Sequence, residues 1–179
     1  MRRSLTEPEA FATLFDRYSG MIYRYVSRRV GPEHAEDLVG ETFMVAFSRR
    51  RHYDLNYPDA RPWLFGIATK LLSRHHRSEA ARYRALQRSP VEEHVEFPAD
   101  AVAAGVTAQA ARKALAEALA ALSKRDRDAL LLYAWSGLTY EEVARALDIP
   151  LGTVRSRLNR ARRKLRAELG GADPMREEA

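Results

Sequence analysis

The chain has 179 residues, a formal net charge of +6 and no cysteine, and 46% of its residues are hydrophobic. That apolar content supports a packed core and excludes a wholly disordered chain, and the lack of cysteine excludes disulfides and thiolate chemistry. Because no apolar run reaches about 18 residues and no signal-peptide core follows the two N-terminal arginines, we expect a cytoplasmic protein without membrane insertion.

Charge is distributed unevenly along the chain. Residues 1–90 carry 16 basic and 10 acidic side chains, residues 91–110 carry no basic and 4 acidic ones, and residues 111–179 carry 14 basic and 10 acidic ones. Two basic bodies joined by an acidic segment favour a polyanionic partner for both ends. Charge alone does not separate this from an arginine-rich but merely soluble surface.

Three helices are predicted in the first half of the chain. Thr6 is placed to cap the first, because Glu9 follows at capping-box spacing and apolar residues then recur every three to four positions. The second helix should run roughly from Glu33 to Arg50. A loop, "RHYDLNYPDARP", precedes a third helix that starts near Pro62 and runs past position 77, with Trp63 in the core.

The second half of the chain is also predicted to be helical. After a stretch without periodicity, "ARKALAEALAAL" forms one helix, Ser123 begins the next, and Gly137 ends it in a left-handed conformation. Thr139 caps a further helix, with Glu142 three residues later. No useful strand pattern occurs, so we predict an all-α fold of two small helical domains, 1–87 and 110–171, the second of four helices. A flexible acidic linker at 88–109 joins them, and a tail follows at 172–179.

Residues 140–157 have the spacing of a helix-turn-helix. Asp148 occupies the turn position that glycine usually holds, and Pro150 prevents the first helix from continuing. In the second helix Val154, Leu158 and their successors at helical spacing face inward. The stretch from position 155 to 166 contains seven basic residues and no acid, and the opposite side of the helix carries four of them together with Ser156 and Asn159.

This basic helix is predicted to enter the major groove of DNA. Such a helix shows its N-terminal side chains to base edges and its flanks to phosphates. We assign Arg155, Ser156 and Asn159 to base edges. Thr153 at the helix start belongs to the same surface, and four further arginines are assigned to phosphate: Arg157, Arg160, Arg162 and Arg163. A solvated face of a bundle helix is the alternative, but its like charges would repel one another without a partner.

These residues resemble a known family. "ALSKRDRDALLLYAWSGLTYEEVARALDIPLGTVRSRLNRARRKL" is similar to the promoter-binding C-terminal domain of bacterial sigma factors of the extracytoplasmic-function (ECF) type. "AEDLVGETFMVAF" resembles the helix that grips the β′ clamp helices of RNA polymerase. "RPWLFGIATKLLSRHHR" resembles the helix that melts and reads the −10 promoter element. The resemblance implies a promoter-specificity subunit of RNA polymerase whose C-terminal domain reads the −35 element as duplex.

The resemblance also implies roles for residues in the first domain. The polymerase-facing positions are Asp37, Gly40, Glu41 and Met44, with Gly40 standing where the family usually has Gln. The −10 strand would meet Tyr53, Tyr57, Arg61, Lys70, Arg74 and Arg77. Lys70 and Arg74 replace the Asn and Asp that are frequent in the family, so family base preferences at −10 do not transfer. The implied partners are the polymerase core, through its β′ clamp helices and β flap, promoter DNA and an anti-sigma factor.

An enzyme is not expected. The five histidines lack metal-ligand spacing, and neither a phosphate-binding glycine loop nor a nucleophile motif is present. We therefore predict no catalytic residue, no metal and no cofactor. Two other functions stay open: a stand-alone helix-turn-helix regulator that never joins polymerase, and a sigma-like decoy that binds an anti-sigma factor.

Overall fold

The structure is a computed structural model. It describes the backbone of residues 1–86 and 114–169, and the side chains of 1–75 and 114–169. The predicted linker and C-terminal tail, and with them the domain boundaries, lie outside these ranges. Within them the chain is helical and contains no strand, which confirms the predicted all-α class.

The first half forms an N-terminal lobe, defined here as residues 1–75, in which three helices pack around one core. Tyr25 lies at its centre: its hydroxyl pairs with the Thr69 hydroxyl at 2.9 Å, and its ring meets Phe65 edge-on at 5.2 Å. Burial raises the pKa of Tyr25 and keeps the phenol neutral. The helices are α1 Ala12–Val30, α2 Pro32–Ser48 and α3 Arg61–Leu86, with short 3-10 turns at Arg2–Leu5, Pro8–Phe11 and Arg50–His52.

The predicted start of the first helix is wrong. Helix α1 begins at Ala12, and the Thr6 hydroxyl donates backwards to the Arg3 carbonyl at 3.2 Å instead of capping. The reason is local: the ring of Pro8 disfavours helical backbone at the residue before it, and Glu7 is extended with φ −117° and ψ 90°. A helix capped by Thr6 would need Glu7 in helical conformation.

The second half forms a C-terminal lobe, defined here as residues 114–169. Its helices are α4 at 114–121, α5 Lys124–Ser136, α6 Tyr140–Leu147 and α7 Leu151–Glu168. The predicted caps are confirmed. The Ser123 hydroxyl accepts from the Asp126 amide, and Thr139 and Glu142 form a reciprocal capping box.

Two left-handed residues set the angles between the helices of this lobe. Gly137, with φ 63°, ends α5, and Asp148, with φ 54°, ends α6. Asp148 is the one non-glycine residue with positive φ in the part of the chain that the structure describes. Only Ile149 and Pro150 separate Asp148 from α7, so α6 and α7 meet as the predicted helix-turn-helix.

The two lobes pack directly against each other, which the sequence did not predict. A single set of buried apolar residues runs through both. Helix α6 buries Ala146 as well as Val143, and Ala146 meets α3 of the N-terminal lobe at Gly66. None of the helices in the described ranges is long and apolar enough to cross a membrane.

Candidate nucleic-acid interface

Helix α7 is held to its lobe by one apolar stripe. Val154, Leu158, Ala161 and Leu165 are 0%, 1%, 0% and 3% exposed. Their spacing of four, three and four keeps them on one side of the helix. The other side therefore faces solvent, as the sequence predicted.

The N-terminal half of α7 presents the residues that we assigned to base edges. Arg155, Ser156 and Asn159 are exposed, and Thr153 at the helix start is half-buried. The Ser156 hydroxyl donates to the Thr153 carbonyl at 3.0 Å, so its oxygen lone pairs are what it offers outward. This cluster combines a forked cation, an amide and a hydroxyl, the side-chain types that pair with groove edges.

Several cations of α7 have partners within their own lobe, and the sequence did not reveal them. Arg160 donates to the Asp126 carboxylate of α5 at 2.8 and 3.4 Å. Arg162 lies over the Tyr133 ring with its Cζ 5.5 Å from the centroid, and the Lys164 ammonium donates to the Ala121 carbonyl. Arg163 is exposed and Arg157 is half-buried.

The Asp126–Arg160 pair is fixed electrostatically. Partial burial acts to raise the pKa of Asp126. Hydrogen bonds with Arg160 and Ser123 outweigh the effect of burial, so the pKa of Asp126 lies below its usual value. The hydrogen bond to Asp126 in turn raises the pKa of Arg160. Arg160 therefore stands charged at the edge of the basic face, with an acid of the same lobe beside it.

Two predicted stacking residues of the N-terminal lobe occupy different environments. Tyr53 is buried: its ring meets Trp63 edge-on at 5.1 Å, and its hydroxyl donates to the Tyr57 carbonyl at 2.5 Å. Burial raises the pKa of Tyr53 to about 12. Tyr57 is 43% exposed, but Arg145 of α6 lies over its ring, with its Cζ 4.2 Å from the centroid. In this arrangement the Tyr53 ring is closed to a nucleobase, and Arg145 occupies one face of the Tyr57 ring.

The predicted phosphate contacts of the N-terminal lobe lie at the start and on the exposed side of α3. The Arg61 guanidinium donates to the Asp59 carboxylate at 2.6 Å, and this hydrogen bond raises the pKa of Arg61. The same guanidinium lies 3.7 Å from the Glu142 carboxylate. Lys70 and Arg74 are exposed. The side chain of Arg77 lies outside the described residues.

The predicted polymerase-facing positions form one surface of α2. Asp37 and Gly40 are exposed, Met44 is 69% exposed, and Glu41 is half-buried. A shallow apolar groove of about 340 Å³ runs between α1 and α2, lined by Phe15, Tyr23, Val39 and Gly40 among others. A Cβ added at Gly40 would meet nothing within 4 Å, so a larger side chain would fit at this position of the groove.

Comparison with known proteins agrees with this arrangement. Residues 14–82 match Sigma-70 region 2, and residues 112–165 match Sigma-70, region 4. The chain is 32% identical to the ECF RNA polymerase sigma factor SigL of Mycobacterium tuberculosis over 164 residues, covering 91% of this chain and 90% of SigL. It is 30% identical to SigK of Mycolicibacterium vanbaalenii, covering 93% and 85%.

The fold and the two matched regions define a sigma factor of the sigma-70 type that has regions 2 and 4. Within that class, the chain belongs to the ECF RNA polymerase sigma factors. Such proteins are non-catalytic subunits that direct RNA polymerase to promoters. A further relative, BldN of Streptomyces coelicolor, is 30% identical over 92% of this chain, which spans 62% of the length of BldN.

Two solved structures share the fold. The sigma factor RpoE of Bartonella quintana, solved with the anti-sigma factor NepR, matches with a TM-score of 0.65 at 24% identity, over 90% of this chain and 98% of that one. CnrH, solved with the cytosolic domain of CnrY, matches with a TM-score of 0.61 at 24% identity, over 91% and 89%.

Proposed function

We propose that the C-terminal lobe reads the −35 element as duplex through the N-terminal half of α7. The observation that carries this is the division of α7 into a buried apolar stripe and an exposed cationic side. Arg155 and Asn159 contact base edges, as an arginine fork suits guanine and an amide suits adenine. Arg157, Arg162 and Arg163 neutralise phosphate, which makes binding salt-dependent.

The N-terminal lobe binds the −10 element as single strand. Arg61, Lys70 and Arg74 supply positive charge along α3. Tyr57 supplies a stacking ring once Arg145 moves away from it, because base stacking on aromatic rings is the usual companion of a cationic groove in single-strand binding. Tyr53, which is buried against Trp63, positions the loop through its hydrogen bond to Tyr57.

Helix α2 docks on the polymerase core in the cytoplasm. Its exposed acids Glu36 and Asp37 stand on a basic chain, so a cationic protein surface suits them better than DNA does. Met44 and the groove beside Gly40 add apolar surface for the same partner. Because RpoE was solved bound to an anti-sigma factor, we also propose an anti-sigma factor as a partner of this chain.

Transcription with purified components tests this proposal. The intact chain is added to sigma-free core polymerase, and transcripts are mapped on promoters selected from the source genome. Promoter-specific initiation is the expected result, and initiation should be lost in a variant carrying Asp37→Lys and Glu36→Lys.

The rival functions give different results in the same assay. A stand-alone regulator binds duplex DNA without initiation. A decoy neither initiates nor recruits polymerase. Either outcome overturns the proposal.

A further inference from the structure

The N-terminal segment, defined here as residues 1–11, is docked beside the loop that precedes α3. Ser4 is buried, and its hydroxyl donates to the Met1 carbonyl at 2.6 Å, which holds the start of the segment in a compact turn. At the other end of the segment the Phe11 ring meets Phe47 of α2 edge-on at 5.3 Å. Because contacts hold it at both ends, the segment has a fixed place on the N-terminal lobe.

Arg50 joins this segment to the turn that follows α2. Its Nε donates to the Ser4 carbonyl at 3.0 Å, and a second guanidinium nitrogen donates to the Phe47 carbonyl at 2.8 Å. The Tyr53 amide donates to the Arg50 carbonyl at 3.3 Å, so Arg50 also contacts the start of the loop. Two directed hydrogen bonds from one planar group are a task for arginine that lysine does not reproduce.

Four exposed arginines come together where Arg50 holds the two segments in contact. The 3-10 turn at Arg2–Leu5 lies against the turn at Arg50–His52. We call the four residues the N-terminal patch: Arg2 and Arg3 on the first turn, and Arg49 and Arg51 on either side of Arg50. Arg3 pairs with Glu7 at 2.8 Å, but both side chains are more than half exposed, so this ion pair is weak.

The chemistry of the N-terminal patch suits a phosphate backbone. Guanidinium groups bind phosphate through paired N–H donors and stay charged at all physiological pH values. A protein interface would also bury an apolar centre. The exposed large hydrophobic residues of the described ranges all lie outside the patch: Phe15, Met44, Tyr57 and Leu115.

The patch lies directly before the loop that we propose to hold the −10 strand. Arg51 precedes Tyr57 by six positions, which is about 22 Å of chain at most. The loop is folded back on itself, because the Tyr53 hydroxyl donates to the Tyr57 carbonyl at 2.5 Å. A strand that stacks on Tyr57 can therefore reach the patch within a few nucleotides, and an aromatic ring beside a cationic track is the usual design of a single-strand site.

We propose that the N-terminal patch is a second single-stranded DNA site, which binds phosphates of the nucleotides that flank the −10 element, and that Arg50 is its positioning residue. The N-terminal segment is thereby part of the DNA-binding surface. The link to the −10 element rests on the proposed function of the N-terminal lobe, whereas phosphate binding by the patch can be measured without it.

Binding of a short oligothymidylate to the full chain tests the patch without any −10 sequence. Each phosphate contact to a single strand contributes about 0.7 to the slope of log K against log salt concentration. Arg2→Ala combined with Arg3→Ala should therefore reduce the slope by about 1.4, so the affinity advantage of wild type falls roughly 7-fold between about 50 and 200 mM salt. Arg17→Ala combined with Arg24→Ala is the matched control, because it removes the same charge from exposed positions of α1 and should keep the wild-type slope.

Arg50→Lys tests the positioning role at constant charge. It keeps the cation but loses the paired hydrogen bonds to the Ser4 and Phe47 carbonyls. The salt slope should fall about as far as in the Arg2 and Arg3 double variant, with helical circular dichroism and −35 duplex binding unchanged. Adding Arg50→Lys to that double variant should cause little further loss, because both changes remove the same contacts.

Several results would overturn the inference. They are a wild type that does not bind oligothymidylate, equal slopes for the two arginine pairs, and a wild-type slope in Arg50→Lys. Weaker binding of the double variant to core polymerase, with DNA binding unchanged, would show that the patch faces a protein and would also overturn it. Failure of wild type to initiate with core polymerase overturns the proposed function instead, and the oligothymidylate comparison still decides the patch.

Discussion

The capping box of α6 carries a sharp stability prediction. Thr139→Ala removes the hydroxyl that accepts from the Glu142 amide at 3.2 Å and leaves that donor without its intramolecular partner. Loss of a threonine cap costs about 1 kcal/mol. Helix α6 has only 8 residues, too short to be stable alone, so the cost falls fully on the folded state.

Thermal unfolding followed by circular dichroism measures the effect. For a cooperative unit of this size, about 1 kcal/mol lowers Tm by about 2–4 °C. Thr6→Ala is the matched control, because the exposed Thr6 hydroxyl caps no helix N-terminus and donates only to the Arg3 carbonyl, so its loss should stay within about 0.5 kcal/mol of wild type. Equal losses in the two variants, or none for Thr139→Ala, would refute the capping argument.

Other predictions concern DNA binding and alkaline stability. Arg155→Ala should lower discrimination between −35 sequences by about 1–3 kcal/mol. Arg163→Ala should weaken binding to all sequences alike and reduce the slope of log K against log salt concentration by about 1. The reverse pattern would show that the roles of the two arginines are exchanged. Asp126→Asn should free Arg160 for phosphate and steepen the salt dependence of duplex binding by about 1, and an unchanged slope would exclude such a contact. Because burial raises the pKa of Tyr53 to about 12 in the folded state, above its unfolded value, wild-type stability should fall as pH rises from about 10 to 12. Tyr53→Phe should lose less unfolding free energy than wild type over that range, as measured by urea titration. Equal losses in the two proteins would show that ionisation of Tyr53 is not the cause.

Some features were predictable because their causes lie within a few residues. Ser123, Gly137 and Thr139 each end or begin a helix through a contact to a neighbour three or four positions away, or through their own backbone preference. The inward stripe of α7 follows from helical periodicity in the same way. Thr6 shows the limit of such rules, since Pro8 two positions later overrides its capping signal.

The roles assigned to individual side chains in DNA and polymerase binding are still predictions. The family resemblance supplied them for the N-terminal lobe, and the charge pattern for α7. What the structure adds is accessibility: Arg155 and Asn159 are exposed, Tyr53 is buried, and Tyr57 has Arg145 over one face of its ring. A sequence pattern states which chemistry a loop carries but not what lies on top of it.

The sequence by itself determined the helices of the two lobes and the cationic side of α7, because propensity, capping and periodicity act over one or two turns. Only the tertiary structure decided how the lobes meet. Arg29 and Asp128 are 99 positions apart, and nothing near either residue indicates its partner. From the sequence, Gly66 is only a destabilising residue within a helix, whereas the structure shows that it allows α6 to approach α3 closely. Such pairing of distant surfaces depends on their shape and charge in three dimensions.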